Sequence, residues 1–581
     1  MTLKITSLQA LLKQKNLDCF IVPRSDRYQG EYVVEADERL AWLTDFTGSA
    51  GLALVFHDHI ALFVDGRYSL QAKQQVNLTY VKVIAIADCK PSEYVKNLEI
   101  PLTRIGFDPW LMSDHDFTGW SKNSGLQFVP CDSNPIDELW SDQPDRPLKA
   151  VEVHDLAYAG QPHTEKLAHF YDKLVQQEVE AALVMSPDNL CWLLNCRGSD
   201  FPYSPLVDWF AFVIKGQGVR IFCDERKIPA SVHLHLQEVA TFHPLEDLDK
   251  MIEGLAGKRT LIDPKLAPVI ICDKLANNIV RAVDPLELMK ACKADQEIEG
   301  ICQAHLQDGV ALTKFLAWLD TVPQDTETEL SIAEKLEHFR QEADLYKGPS
   351  FPTIAGFAEN GAIVHYRATP QSAKTIDYSS LLLVDSGGQY LNGTTDVTRT
   401  ICLGEPTSEQ KTNFTLVLQG HIKLAMTLFP EGTTGAQLDV LARYNLWQYG
   451  LDYDHGTGHG VGYYLNVHEG PQRISKAGSQ VSLRPGMILS NEPGYYKENA
   501  YGIRIENLVT VKRIEGHFER PMLGFETLTL APIDRRLIDE TLLTSAEWEW
   551  LNQYHAKVRE TLLPYLDPDT ASWLIEATAE L

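Results

Sequence analysis

Apolar positions recur along this chain in two alternating periods. Residues 7–17 carry a helical pattern that runs into Asp18-Cys19-Phe20-Ile21-Val22, a short apolar run of the buried-strand type. Gly51-Leu52-Ala53-Leu54-Val55-Phe56 and Ile60-Ala61-Leu62-Phe63-Val64 predict a hairpin across His57-Asp58-His59. Helix and strand in alternation predict an α/β layer domain over residues 1–150, closed by the polar, proline-containing stretch from Ser141 to Pro147. From about residue 163 the pattern restarts, with a helix over 164–178 and a strand at Ala181-Ala182-Leu183-Val184-Met185. Both units read as helix, apolar strand and proline, at Pro23 and Pro187, and Asp45-Phe46-Thr47-Gly48-Ser49 is loosely echoed by Asn195-Cys196-Arg197-Gly198-Ser199. Two related α/β domains in tandem are expected, the second over 151–290.

A helical stripe of Ile298, Ile301, Leu306, Val310, Leu312, Phe315, Leu316 and Leu319 predicts one long helix over Leu286 to Asp320. Further helices are expected over 328–343, 408–428 and 435–449, with strands beginning near 351 and at 487–491 and 503–513. These elements make a third, mixed domain over 291–525. The extension 526–581 reads as helical over 546–580, with Trp548, Trp550 and Trp573 as packing anchors.

Composition narrows the class. The 581 residues hold 52 Lys+Arg against 79 Asp+Glu, a net charge of −27, which argues against nucleic acid as a partner. No run approaches the ~18 apolar residues of a membrane span, and the first residues lack a leader-like apolar core. Ten scattered cysteines form no CxxC, as expected of reduced thiols. The expectation is a cytoplasmic enzyme without a membrane partner.

The candidate chemistry lies in the third domain. An apolar strand, Leu381 to Val384, runs directly into Asp385, and a second acid, Asp396, stands on the return beyond Gly387-Gly388 and Asn392-Gly393. A second segment repeats the form: Gly486-Met487-Ile488-Leu489-Ser490-Asn491 runs into Glu492, and after a glycine-containing turn come Arg504, Glu506 and Asn507. Strand alternation places Arg504 and Glu506 on one face. Between the two hairpins, His455, His459 and His468 stand among glycines. Four buried carboxylates cannot all be anions in an empty site, whereas two divalent cations would balance their charge. A carboxylate-rich set with one imidazole suits Mn²⁺, and a paired site polarises a carbonyl and acidifies water.

At these residues the sequence resembles the metallopeptidase family of aminopeptidase P, prolidase and methionine aminopeptidase, and most closely its three-domain cytosolic Xaa-Pro aminopeptidases. The resemblance covers nearly the whole chain and is most specific at His455-Gly456-Thr457-Gly458-His459 and Gly502-Ile503-Arg504-Ile505-Glu506-Asn507. It implies two tandem creatinase-like α/β domains, a pita-bread catalytic domain and a partly helical C-terminal extension. It further implies two Mn²⁺ per subunit on Asp385, Asp396, His459, Glu492 and Glu506, with a hydroxide between them attacking the scissile carbonyl. Glu492 matches a proton acceptor, His468 an oxyanion-stabilising residue, and His365 a residue near the leaving proline. His455 and Tyr496 would line the prolyl pocket, and Arg504 would hold ligand carboxylates. Arg67 matches an arginine that reaches substrate across a homodimer. The implied activity is release of the N-terminal residue from Xaa-Pro peptides. A prolidase-like dipeptidase is the alternative, and a non-catalytic peptide-binding protein a third reading; the intact ligand set argues against the last.

Overall fold

The computed structural model describes residues 2–98, 104–122, 125–478 and 480–581. The chain divides into two compact units, Met1–Leu156 with Gln161–Leu286, and Ala157–Gly160 with Glu287–Leu581.

The first unit contains the expected duplication, and its two halves share a topology down to strand direction. Each half has a six-stranded sheet. In the first, Cys19–Pro23 pairs antiparallel with Leu52–Phe56 and parallel with Arg104–Phe107. In the second, Ala181–Val184 pairs antiparallel with Phe210–Ile214 and parallel with Thr260–Ile262. The outer strands, Ile60–Val64 with Val81–Ala85 and Gly218–Phe222 with Ala240–His243, are parallel in both halves. The loose sequence echo has a backbone cause: Asp45 (φ 60°) and Asn195 (φ 50°) each end a helix in the left-handed conformation that short polar side chains tolerate. The halves are joined by Arg281, which grips Asp114 through two 2.7 Å hydrogen bonds, and by Arg146, which bonds both Asp37 and Asp208.

The second unit surrounds its acidic strands with helices. Ile354–Phe357, Leu381–Ser386 and Val397–Cys402 form an antiparallel sheet. Leu382, Val384, Val397 and Ile401 pack on Leu312, Phe315 and Leu316 of helix Asp295–Leu319. Strands Ile488–Asn491 and Asn507–Ile514 belong to a second sheet, packed through Leu489, Val509 and Val511 on Leu438 and Ala442 of helix Gly435–Gln448. Helices Ser408–Ala425 and Ser545–Leu562 share a third cluster with Ile503 and Ile505.

Three predicted elements differ in their breaks. The helix expected over 286–320 is two, Pro285–Ala291 and Asp295–Leu319, because Glu297 caps the Ala294 backbone N–H (2.9 Å) and restarts the ladder. The strand expected over 503–513 is interrupted after Arg504, and Asn507–Ile514 continues in another sheet. The terminal helix is broken into Ser545–Leu562 and Pro568–Ala577, with Pro564 and Pro568 between the two ladders. Apolar periodicity does not register such breaks when the stripe stays in phase across them.

Candidate metal centre

Each acid sits where a strand changes partner or ends. Asp385 is the penultimate residue of Leu381–Ser386, opposite Thr398. Asp396 immediately precedes the returning strand Val397–Cys402. Glu492 and Glu506 occupy the break between two paired ribbons: Ile488–Asn491 with Asn507–Ile514 on one side, Gly494–Lys497 with Tyr501–Arg504 on the other. A backbone leaving one sheet for another turns consecutive side chains into a common space, and here it brings the acids together. Asp396, His459 and Glu506 offer donor atoms within 4.8 Å of one another. His459 Nε2 is 3.4 Å from Asp396 Oδ2 and 3.7 Å from Glu492 Oε1.

Arg504 links the remaining acid to this group. It donates from Nη2 to Asp385 Oδ2 (2.6 Å) and from Nε to Thr398 Oγ1 (3.1 Å). Thr398 Oγ1 in turn donates to Glu506 Oε2 (2.7 Å). Arg504 and Glu506 therefore meet on one side, as alternation predicted, even though the strand ends between them. The other oxygen of Asp385 is buried and meets no donor. A buried carboxylate oxygen left over from an otherwise satisfied network is where a cation fits.

Electrostatics point the same way. Burial raises the Asp385 carboxyl, Arg504 opposes the rise, and Asp396 and Glu492 add to it, which brings it to about 6. Burial raises Glu492 against the pull of His459, and it lifts Glu506 well above the carboxylate range, with Asp396, Glu492 and Asp385 repelling its anion. Desolvation lowers His459, but Asp396 and Glu492 outweigh it and lift the imidazole to about 9. Burial and mutual repulsion thus favour the protonated form of these carboxyls, and Arg504 and His459 offset that only in part. The oxygen-rich donor set with one imidazole fits divalent cations, whose charge would balance the acids.

The imidazoles are oriented by backbone carbonyls. His459 Nδ1 meets Gly460 O (2.9 Å), which leaves Nε2 facing the carboxylates. His455 Nδ1 meets Gly456 O (2.8 Å), so its Nε2 accepts from Tyr496 Oη (2.8 Å), which itself accepts from Arg504 Nη1 (2.6 Å). Burial, opposed by Arg504, pushes the Tyr496 phenol up to about 12, so it stays a neutral donor. The His468 ring stands edge-on to His459 at 4.3 Å. His365 follows Val364, whose carbonyl lies 3.5 Å from Arg504 Nη1. Arg67 lies in the first compact unit, bound through Nη2 and Nε to Asp65 (2.7 and 3.0 Å).

Other contributors escaped sequence reasoning. Arg399, fully inside, donates to Glu506 O (2.6 Å), Asn507 Oδ1 (2.8 Å) and Tyr554 Oη (2.9 Å). Tyr554 belongs to helix Ser545–Leu562, so the extension helps to hold the break at Glu506 and the start of strand Asn507–Ile514. His421, which burial lowers to about 3, meets Asn491 O through Nδ1 (3.1 Å) and accepts from Asn507 through Nε2 (3.2 Å). An arginine in a β-run and a lone histidine on a helix carry no signal of such a role.

Comparison with known proteins gives this geometry a family. The pattern of metallopeptidase family M24 matches residues 299–513 and that of its C-terminal region 521–581. Creatinase/prolidase N-terminal domains match 4–139 and 142–297. Aminopeptidase P2 of Arabidopsis thaliana is 38% identical over all of this chain and 88% of its own length. The chain belongs to the aminopeptidase P family. A probable Xaa-Pro aminopeptidase P of Laccaria bicolor is 39% identical over 99% of this chain and 92% of its own. Among solved structures, an X-prolyl aminopeptidase from Caenorhabditis elegans, described as a cytosolic enzyme with a di-nuclear active site, superposes with a TM-score of 0.96 at 32% identity, over 100% of this chain and 99% of its own. An Xaa-Pro dipeptidase from Bacillus anthracis covers only 64% of this chain, at 20% identity and a TM-score of 0.53, while 99% of its own length is matched; it shares fold alone. As an aminopeptidase P family member the protein is a hydrolase, and the full-length likeness favours the aminopeptidase over the prolidase reading.

Proposed function

We propose that this chain releases the N-terminal residue from peptides with proline at the second position, using two Mn²⁺ held by Asp385, Asp396, His459, Glu492 and Glu506. The observation that carries this reading is the convergence of buried carboxylates whose charges Arg504 and His459 neutralise only in part. Bound there, the ions supply Lewis acidity toward the scissile carbonyl and acidify a water. The chain supplies the rest. Glu492 accepts the proton of that water at its carboxylate. His468 donates a hydrogen bond to the oxygen that gains negative charge. His365 faces the leaving proline nitrogen. His455 and Tyr496 flank the prolyl ring, and their mutual hydrogen bond holds both in place. An X-Pro bond is a tertiary amide without an N–H, so a pocket of imidazole and phenol that asks for none accepts it.

The test is a peptide panel differing only in the second residue, with Mn²⁺ supplied. Arg-Pro-Pro should lose its arginine at least about 100-fold faster than Arg-Ala-Pro. Cleavage of Gly-Pro with Arg-Pro-Pro left intact transfers the assignment to a dipeptidase. His468→Ala is expected to lower kcat about 100-fold while metal content stays at the wild-type level. Loss of metal in that variant contradicts a role confined to the oxyanion.

The reading includes a homodimer in which Arg67 of one copy serves substrate at the other, and a cytoplasmic location. Among the described residues no helix is long and apolar enough to cross a membrane, and the Caenorhabditis elegans relative is described as cytosolic. Mass in solution and the KM of Arg67→Ala address the dimer.

A further inference from the structure

Granting the oxyanion role of His468, we propose that Lys290 and Lys293, acting through Glu469, are positioning residues that hold His468 at the metal centre. His468 and Glu469 share a peptide unit at the start of strand Glu469–Ile474, and Glu469 is fixed in register opposite Gly460, one residue from His459. Neighbouring side chains on a strand point to opposite faces. His468 is exposed beside His459, whereas Glu469 is sealed inside. There its two oxygens are divided between two lysines: Lys293 Nζ donates to Oε1, and Lys290 Nζ lies 3.3 Å from Oε2. Lys293 Nζ also donates to Lys290 O (3.0 Å), which locks the lysines to each other. The Lys293 and Glu469 side chains are 0% exposed and that of Lys290 3%.

Burying three charges is a poor way to gain stability, since apolar residues of equal volume serve as well or better. What the triad supplies is a single orientation: a carboxylate hydrogen-bonded through Oε1 and faced by a second buried cation at Oε2 resists rotation, and the preceding residue is held with it. The lysines reach Glu469 because of the helix break that periodicity missed. Lys293 stands in that break, where its N–H donates to Gly486 O (3.1 Å). Gly486 has φ 84°, and a Cβ there would lie 2.5 Å from Lys293 O, so the break is clamped to the strand that leads to Glu492. The joint ahead of the long helix is thereby coupled to the loop that presents His468.

A kinetic cycle on the Mn²⁺-loaded enzyme with Arg-Pro-Pro tests this. Glu469→Gln should lower kcat about 10- to 100-fold, with KM and metal content within about twofold of wild type. In a His468→Ala background the same substitution should change kcat by less than about twofold, because its effect passes through that ring. A merely structural role lowers kcat by the same factor in both backgrounds and overturns the proposal. Wild-type kcat in Glu469→Gln beside a slow His468→Ala overturns the positioning alone. Wild-type kcat in His468→Ala overturns the oxyanion role, and the positioning with it. Should Glu469→Gln fail to fold, Lys290→Met, which leaves a neutral Lys293–Glu469 pair, enters the same cycle. Its expected kcat loss is about 3- to 10-fold, again absent without His468.

Discussion

Asp396→Ala and Glu492→Ala are each expected to abolish turnover of Xaa-Pro peptides, by at least about 1,000-fold in kcat, as when one member of a concerted catalytic set is lost. The reason is the shared geometry. Asp396 and Glu492 both lie within 4 Å of His459 Nε2, and both repel the Glu506 anion. Each therefore belongs to one charge-balanced cluster rather than to a separate interaction. Misfolding is distinguishable from this outcome. Removing one of several like charges relieves the metal-free protein, so the metal-free melting temperature of Asp396→Ala should equal or exceed that of the metal-free wild type. Residual turnover near wild type in either variant would refute the dinuclear reading. A much lower metal-free melting temperature would assign these acids a structural role instead.

Metal removal should abolish activity and destabilise the protein, increasingly so as pH rises. Asp385, Glu492 and Glu506 have raised folded-state values, and Asp385 stands at about 6. A carboxyl raised on folding stabilises fully below its unfolded value, ~4, and loses that contribution as pH climbs through the folded value. His459, raised to about 9, has the same sign: its contribution is complete below ~6.5 and fades as pH passes about 9. Cations reverse the requirement, because their ligands must be deprotonated. The gap in melting temperature between loaded and metal-free protein should therefore widen, by roughly 5 °C, from about pH 5 to about pH 8. Buried His421 and His555, both lowered to about 3, favour folding above ~6.5 and lose that effect on acidification, in both forms alike. Calorimetry with and without chelator isolates the metal term. A gap that is constant or shrinks with pH contradicts the assignment of these acids as ligands.

The tandem α/β arrangement was legible because buried strands and their following turns leave local marks: an apolar run, a proline, a left-handed Asp45 or Asn195. The same holds for the acidic cluster. An acid ending a buried strand conflicts with burial, and two such strands, ending in Asp385 and Glu492 with histidines between them, point to a shared site without coordinates. Breaks in elements were not legible. Lys293 and Ala294 interrupt no apolar stripe, and only the Glu297 cap and the contact with Gly486 show where the helix stops. Nor were Thr398, Arg399 and His421, ordinary residues in ordinary elements, recognisable as supports of Glu506 and Asn507.

By itself the sequence determined the two repeated domains, the four acids, the imidazoles between them, and a net charge of −27 that argues against a polyanion as partner. Those properties rest on local pattern and on chemistry that each residue carries wherever it sits. Only the tertiary structure decided that Asp396, Glu492 and Glu506 meet around His459, that Arg504 joins Asp385 through Thr398 to Glu506, and that Glu469 turns inward between two lysines. Distances of 2.6 to 3.4 Å between residues more than sixty positions apart are set by sheet register and by strands that change partner, which no single segment encodes.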